Sequence, residues 1–178
     1  WHDETAVYLY IARSHGGAYA NSGISAQGYL IASEDKLLVP TGRAVPAAFE
    51  RKTGKFLYFH LQGNGHRGGS EAFISDNFCI NNGSYYDLLN GGHQATIGQG
   101  AMAAFPGGIV RAGQHDIQFY QWANHEKIDR KGAKQSVREL EKSYRVELPG
   151  FGSSVIVMGD DLFAGGENQV GRINRQTG

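Results

Sequence analysis

Carboxylate and imidazole side chains are the groups in this 178-residue chain that could carry out acid-base or metal chemistry. The adjacent acidic pair Asp160-Asp161 offers oxygen atoms of the kind that hold a calcium ion. Glu34-Asp35 occupies the same slot in an earlier, similar segment, and this repetition indicates turn residues rather than metal ligands. Histidines lie near predicted strand ends or in loops, without the i, i+4 spacing of a helical metal site, at His60, His66, His93, His115 and His125. The sequence therefore predicts no catalytic residue and no metal-ligating residue.

A second candidate is the glycine-rich segment Gly63–Glu71, whose backbone amides could face an anion while His66 and Arg67 add charge. It lacks the strand-loop-helix setting of a nucleotide-binding loop, and no Lys-Ser or Lys-Thr pair follows it. The segment also falls where one repeat of the chain passes to the next. We therefore interpret it as an ordinary connection, and cofactor-binding residues stay unassigned.

Charge and cysteine composition exclude several classes of function. The chain has 17 basic and 17 acidic residues, so it lacks the net positive charge with which proteins bind nucleic acid or anionic lipid. Its strongest basic cluster, Arg130–Lys134, is interpreted as a solvated turn. No apolar run approaches the roughly 18 residues of a membrane span. The single cysteine, Cys79, excludes an internal disulfide and a Cys-x-x-Cys zinc site, and its apolar surroundings predict a buried structural thiol.

The elements that would position any site are short strands arranged in repeated hairpins. Four times an apolar run meets a three-residue turn and then a second apolar run. The paired runs are Tyr29–Ala32 with Leu37–Val39, Ala72–Ile74 with Phe78–Ile80, Met102–Phe105 with Ile109–Ala112, and Val155–Met158 with Leu162–Ala164. Self-similarity of this kind is typical of β-propeller blades. The predicted fold class is therefore all-β, a propeller of four-stranded antiparallel blades with about four blade units.

Each repeat continues beyond its first hairpin. Ala44–Glu50 is predicted as a third strand and Lys55–His60 as a fourth, joined by a turn that ends at Gly54. Turn glycines recur about every 40 residues, as in known propellers, at Gly54, Gly92, Gly132 and Gly178. This spacing supports the assignment of the repeats as blades.

The chain is predicted to be a single propeller segment, residues 1–178, with blade-like units at about 26–60, 70–95, 100–148 and 153–178. Residues 1–25 supply one strand, Thr5–Ala12, and a Gly/Ser/Asn-rich connector through Ser25. The last unit ends where its fourth strand would begin, and Thr5–Ala12 is one candidate to complete it. Because the chain begins with Trp1 and four blades are the minimum of the known range, we expect part of a longer propeller.

The third unit is the least regular of the four. A polar stretch, Ala123–Glu141, separates the strand Ile117–Trp122 from a final apolar alternation at Tyr144–Leu148. Val137, Leu140 and Tyr144 fall at i, i+3 and i+7, which permits a short helix. The alternative is an ordered loop at the edge of the blade. The loop is the prediction.

The segment Ala48–Tyr58 resembles the blade motif of quinoprotein-like propellers. That motif runs Ala-x-Asp-x-x-Thr-Gly-x-x-x-Trp, and here Glu50 stands for the aspartate and Tyr58 for the tryptophan. Later copies keep matching residues at Asp87 with Asn90-Gly91 and at Asn174 with Thr177-Gly178. The resemblance covers roughly residues 28–178. It implies that the acidic or amide side chain accepts backbone hydrogen bonds from the turn, and that the aromatic ring docks on the neighbouring blade.

The same resemblance implies one of two functions. Alcohol and sugar dehydrogenases of this family bind pyrroloquinoline quinone (PQQ) and calcium, and they use a tryptophan platform, an aspartate base and often a disulfide between adjacent cysteines. The single cysteine cannot form that disulfide, and Trp122, at the end of a predicted strand, is expected to pack between blades. Other family members are not enzymes and bind partner proteins.

The resulting expectation is a non-catalytic scaffold or binding domain of an exported bacterial protein, located in the periplasm or outside the cell. Its blade loops would contact protein or carbohydrate partners, without a cofactor, nucleic acid or a membrane span. Further propeller blades or a larger parent chain are additional partners under this hypothesis. The alternative is the partial propeller of a PQQ- and calcium-dependent oxidoreductase.

Overall fold

The computed structural model describes residues 9–12, 19–22, 24–42, 45–60 and 68–178. Every regular element in these ranges is a β-strand, and neighbouring strands pair in antiparallel fashion. The chain divides into two compact units, Trp1–Gly98 and Gln99–Gly178. Each unit has its own sheets and its own apolar core.

In the ranges described, the first unit contains ten short strands. They are β1 (Leu9–Ala12), β2 (Tyr19–Ser22), β3 (Ile31–Ala32), β4 (Lys36–Val39), β5 (Ala47–Glu50), β6 (Phe56–Tyr58), β7 (Ala72–Ser75), β8 (Phe78–Asn81), β9 (Ser84–Asp87) and β10 (His93–Thr96). Strands β1 and β2 form a hairpin, while β3–β6 and β7–β10 form two four-stranded sheets in chain order. These two meanders are the antiparallel blades predicted from the repeats.

One face of the β3–β6 sheet packs against the β7–β10 sheet. Since successive side chains of a strand point to opposite faces, Leu38, Ala48 and Tyr58 face the same way from three neighbouring strands. They join one buried cluster with residues of the next sheet, Cys79, Tyr86 and Leu88. The opposite face of the β3–β6 sheet carries a separate cluster that includes Phe49. The first unit is therefore a layered stack of sheets held by apolar side chains.

The second unit contains seven strands. They are β11 (Ala101–Phe105), β12 (Gly108–Ala112), β13 (Asp116–Ile128), β14 (Lys134–Glu147), β15 (Ser154–Met158), β16 (Asp161–Gly166) and β17 (Gln169–Asn174). The β11–β14 sheet packs one face on the β15–β17 sheet, through Val110 and Phe119 on one side and Leu162, Ala164 and Ile173 on the other. The packing mode of the first unit is repeated.

The predicted loop at Ala123–Glu141 is wrong, and so is the helix that was its alternative. Apart from the turn at residues 129–133, this stretch belongs to β13 and β14, the two longest strands described, of 13 and 14 residues. Strand β12 pairs with β13 only as far as Gln121. The next seven pairs, from Trp122 with Leu140 to Ile128 with Lys134, therefore form a two-stranded ribbon. We call residues 122–128 and 134–140, with the turn between them, the ribbon arm; at about 3.3 Å per residue it extends about 20 Å beyond the paired part of its sheet.

Two smaller differences concern the N-terminal region. The predicted connector through Ser25 contains a strand, β2, and the predicted strand Thr5–Ala12 is described only from Leu9 onward. Strand β1 pairs with β2, whereas the β15–β17 sheet has three strands in the part of the chain described.

Candidate functional site

The acidic and amide residues of the repeated motif are committed to turns. Asp87 Oδ1 accepts hydrogen bonds from the amides two and three residues further along the chain, at 2.7 and 3.3 Å. Asn174 Oδ1 accepts the equivalent pair of hydrogen bonds at 2.9 and 3.1 Å. These contacts confirm the predicted role of the motif, in which a short polar side chain stabilises the reversal.

The first copy of the motif solves the same problem differently. Glu50 is one methylene longer than aspartate, and its carboxylate accepts a hydrogen bond from the Thr53 hydroxyl. The Thr53 hydroxyl in turn accepts the Lys55 amide at 3.1 Å. In all three turns a glycine with positive φ donates its amide to the motif residue's carbonyl at 2.8 Å, and these glycines are Gly54, Gly91 and Gly178. The second of them is Gly91, one residue before the predicted Gly92.

Tyr58 links the two sheets of the first unit. Its ring is buried in the shared cluster, and its hydroxyl donates to the carbonyl oxygen of Leu88 at 3.0 Å. Leu88 directly follows the motif residue Asp87, so the tyrosine of one sheet meets the turn of the next. His60 supports the same contact, since its ring stacks on Tyr58 at 5.7 Å between centroids and its Nε2 lies 2.7 Å from the Asn90 carbonyl oxygen. The predicted docking of the aromatic residue on the neighbouring blade is confirmed.

Tyr144 makes the corresponding link in the second unit. Its hydroxyl donates to the carbonyl oxygen of Arg175, the residue that directly follows the motif residue Asn174. Its ring stacks on Phe119 with a centroid distance of 4.2 Å. The Arg175 guanidinium lies over the Phe105 ring at 4.6 Å and donates to the Gly159 carbonyl. Tyr58 lies four residues after its turn glycine, Gly54, whereas Tyr144 lies twelve residues after Gly132. Sequence reasoning missed Tyr144 because of this longer spacing.

The acidic pairs singled out in the sequence lie in hairpin turns, where each has a cationic partner. Asp161 pairs with Arg172 at 2.8 Å, and Asp160 lies 3.6 Å from the Arg175 guanidinium. In the first sheet, hydrogen bonds from Lys36 at 2.5 Å and from Ser33 at 2.8 Å hold the pKa of Asp35 below its usual value. These carboxylates therefore serve the turns, as the repetition of the acidic slot predicted.

The remaining sequence candidates are not brought together. His93 packs edge-on against Tyr86, and Nε2 of His125, in the ribbon arm, lies 3.1 Å from Oε1 of Glu141, just outside the arm. Trp122 is buried within β13 rather than at a strand end, opposite Leu140. In the ranges described, no three His, Cys, Asp or Glu side chains are placed to hold a metal ion. His66 and residues 63–67 of the glycine-rich segment, together with Trp1, lie outside the described residues.

Cys79 is the structural thiol that the sequence predicts. It is 2% exposed in the cluster between the two sheets of the first unit. Burial raises the pKa of its thiol to about 12, so the neutral form persists at physiological pH.

The outer face of the β15–β17 sheet is the surface that sequence reasoning missed. Val155 and Val157 pack inward, so the alternate residues Ile156 and Met158 point to the other face, where they are 66% and 63% exposed. Phe163, which pairs with Ile156, is half-buried there. Val170, on the neighbouring strand, is 76% exposed. We call Ile156, Met158, Phe163 and Val170 the outer apolar face.

The strand register shows which residues of the β11–β14 sheet correspond to this face. Ala103 pairs with Val110 and Phe105 with Gly108, as Ile156 pairs with Phe163 and Met158 with Asp161. Ala103, Phe105 and Val110 are packed between the two sheets of the second unit. The outer apolar face therefore occupies the positions that bind a neighbouring sheet in the β11–β14 sheet.

Comparison with protein-family models returns no match, and comparison with curated proteins returns none either. Solved structures do match. BamB from Moraxella catarrhalis aligns with a TM-score of 0.60 at 15% sequence identity, over 98% of this chain and 57% of that one. The computationally designed Ika4 protein aligns with a TM-score of 0.53 at 12% identity, over 84% of this chain and 95% of that one.

These likenesses, together with the sheet layout, show that the chain has a β-propeller fold. The chain spans rather more than half the length of BamB. Among the residues described, no helix has the length and apolar character needed to cross a bilayer.

Proposed function

We propose that this chain is a non-catalytic binding scaffold of an exported bacterial protein and that it contacts a partner protein. The observation that carries the proposal is the outer apolar face of the β15–β17 sheet. Its four side chains lie on a regular sheet, so they are held in place before any partner arrives. The ion pair of Asp161 with Arg172 lies on the same face, between these side chains. Exposed apolar side chains grouped on one face with polar residues beside them typically mark a site of protein interaction.

The energetic argument comes from the matched positions in the neighbouring sheet. Val110 is buried and Phe105 half-buried between the two sheets, whereas Phe163 and Met158 at the corresponding positions are half-buried and 63% exposed. Complete burial of a side chain of this size is worth about 1.5–3 kcal/mol. Ile156, Met158 and Val170 offer no hydrogen bonds to sugar hydroxyls, so these three side chains favour a protein partner over a carbohydrate.

The engagement of the acidic side chains supports a non-catalytic role. Asp87 and Glu50 bond within their turns, and Asp161 is paired with Arg172. A general base needs a free carboxylate within reach of a substrate proton. Export rests on the resemblance of the turn motif to quinoprotein-like propellers, and likewise makes the periplasm or the cell exterior the proposed location.

Site-specific photo-crosslinking tests this proposal. A benzophenone amino acid is placed at Met158 or Ile156, and at the exposed turn residue Lys52 as a control, in a bacterium that exports the protein. We expect one discrete adduct of higher mass from the two face positions and none from Lys52. Equal yields at all three positions, or an adduct of unchanged mass, would contradict the proposal, because the latter means that the same polypeptide covers this face.

An absorption spectrum of the purified protein from about 300 to 500 nm tests the non-catalytic part. We expect no quinone band after incubation with PQQ and calcium followed by gel filtration. A retained band would favour the oxidoreductase instead.

A further inference from the structure

The ribbon arm is the part of the second unit that departs from the repeated sheet pattern, although Trp122 at its base is buried. In the three other described sheets that have a third strand, a glutamate, aspartate or asparagine at the end of that strand begins a tight turn. Gln121 occupies that register position in the β11–β14 sheet, since it pairs with Gly108 as Glu50 pairs with Lys36. There the strands continue for seven more residue pairs instead of turning. The arm is therefore an extension added at a fixed point of the repeat.

Most charges along the arm are balanced within it. Lys127 Nζ lies 2.5 Å from Glu139 Oε1, and Lys134 Nζ lies 3.0 Å from Glu126 Oε2. Arg138 donates to Asn124 Oδ1 at 3.0 Å. These cross-strand contacts hold the two strands in register but leave little charge for a partner.

The tip of the arm, residues 128–133, differs in charge from the paired strands behind it. Asp129 Oδ1 accepts the amides of Lys131 at 2.8 Å and Ala133 at 2.9 Å, which fixes the turn. Arg130 and Lys131 are exposed, and neither has an ion-pair partner within the described part of the chain. Ile128, beside them, is 70% exposed. The tip thus presents two cations and one apolar side chain on a turn that is already ordered.

We propose that the tip of the ribbon arm, through Ile128, Arg130 and Lys131, docks on an acidic segment of a partner protein. Arginine binds carboxylates through two parallel hydrogen bonds, and an ordered turn loses little entropy when it binds. The exposed isoleucine adds an apolar contact beside the ion pairs. This inference rests on the proposed function, since it names a second contact surface of the same scaffold.

An anionic membrane is a less suitable occupant. Each basic residue near such a surface contributes about 1 kcal/mol, and two cations with one inserted side chain give only marginal attachment. A protein carboxylate can instead be placed in direct contact with the guanidinium of Arg130, which is stronger and more specific.

Titration of the ¹⁵N-labelled chain with a synthetic peptide tests the inference. The probe is a dodecapeptide of glutamate and leucine, and its control has lysine in place of every glutamate. We expect NMR shifts confined to residues 128–133, and a Kd that weakens roughly tenfold in R130E/K131E, as for the loss of about two charge-assisted contacts. The matched variant K52E/K55E, which changes the net charge equally at an exposed turn of the first unit, should bind as the unmodified chain does.

Three outcomes overturn the inference: no shifts at the tip, equal weakening in both variants, or binding to vesicles of phosphatidylglycerol and phosphatidylcholine without binding to the peptide. If the tip fails while Met158 still crosslinks a partner, the proposed function stands and only the acidic docking segment is wrong. If Met158 fails as well, the proposed function is wrong.

Discussion

Within each of the two units, a tyrosine hydroxyl links one sheet to the next, but the two tyrosines occupy different places in the repeat. In the first unit Tyr58 donates to the carbonyl of Leu88, and in the second Tyr144 donates to the carbonyl of Arg175. Both acceptors directly follow the polar residue that begins a turn. Both tyrosines lie on the fourth strand of one sheet, at a shift in strand register.

The difference between the units lies in the distance from the turn. Tyr58 comes four residues after Gly54, whereas the ribbon arm separates Tyr144 from Gly132 by three times that number. The contact is therefore set by the position of the tyrosine beside the paired part of the sheet rather than by its distance from the glycine. An extension can enter the hairpin without disturbing the packing of sheets.

Removal of each ring gives the largest expected effect. Tyr58→Ala should lower the free energy of unfolding of the first unit by about 3 kcal/mol, because a buried ring and its hydrogen bond are lost together. Tyr144→Ala should cost the second unit about 2 kcal/mol, since its ring is only half-buried. Hydrogen exchange at the amides of Leu88 and Arg175 reports each unit separately, because both amides bond to the neighbouring hairpin turn.

Tyr58→Ala should accelerate exchange at Leu88, and Tyr144→Ala should accelerate it at Arg175. Equal acceleration at both amides in either variant would show that the two contacts are not separate devices.

Substitution of a turn glycine in each unit is expected to change the free energy of unfolding by an intermediate amount. A Cβ on Gly91 would lie 2.8–2.9 Å from side-chain atoms of His60, Tyr58 and Val45, and its φ is +72°. Gly132, at the tip of the arm, has a φ of +84° and no atom within 4 Å of an added Cβ. Gly132→Ala should therefore cost about 1 kcal/mol of backbone strain, and Gly91→Ala about 2 kcal/mol or more.

Urea unfolding measures both glycine variants against the unmodified chain. Similar losses in the two would mean that the turn of the second repeat can move away from Tyr58.

Alkaline pH separates the units by the smallest of the three effects at about pH 9–10, where titration of the unfolded chain begins. Burial raises the pKa of Tyr58 above its usual range and that of Cys79 to about 12, and both lie in the first unit. The unfolded chain loses these protons from about pH 9–10, while the folded chain retains them. The stabilisation is complete below that pH and is lost as the pH rises toward 12. Burial also raises the pKa of Tyr144, whose ring is less deeply buried.

Methyl NMR signals of Leu38 and Leu162, each 0% exposed in its own unit, follow the two transitions. The Leu38 signals should lose their folded shifts at the lower pH, and Cys79→Ala should move that transition upward. A first loss at Leu162 would contradict this order.

The sequence predicted those parts of the fold that are determined by residues close together in the chain. The first hairpin of each sheet was found because its apolar residues flank a turn, and the contact of Tyr58 followed from its motif. The ribbon arm was missed because it carries polar side chains on both faces, which removes the alternation that identifies a half-buried strand. Tyr144 was missed for a related reason, since only the register across β13 and β14 shows that it faces Arg175.

The outer apolar face needed structural information of another kind. Ile156 and Met158 belong to a strand that the sequence predicted, but an alternating apolar pattern does not show which face is covered. In the β15–β17 sheet both faces carry apolar residues, and packing decides which of them lies inside.

The alkylation rate of the single thiol, Cys79, reports how often the first unit opens locally. Cys79 is sealed between two sheets, so an alkylating reagent can reach it only in molecules whose first unit has come apart. The rate of alkylation then counts those openings directly, with no added label and no second cysteine to confuse the signal. A partner that binds and stabilises the first unit would lower the rate of Cys79 alkylation. A partner that binds the second unit alone would leave that rate unchanged.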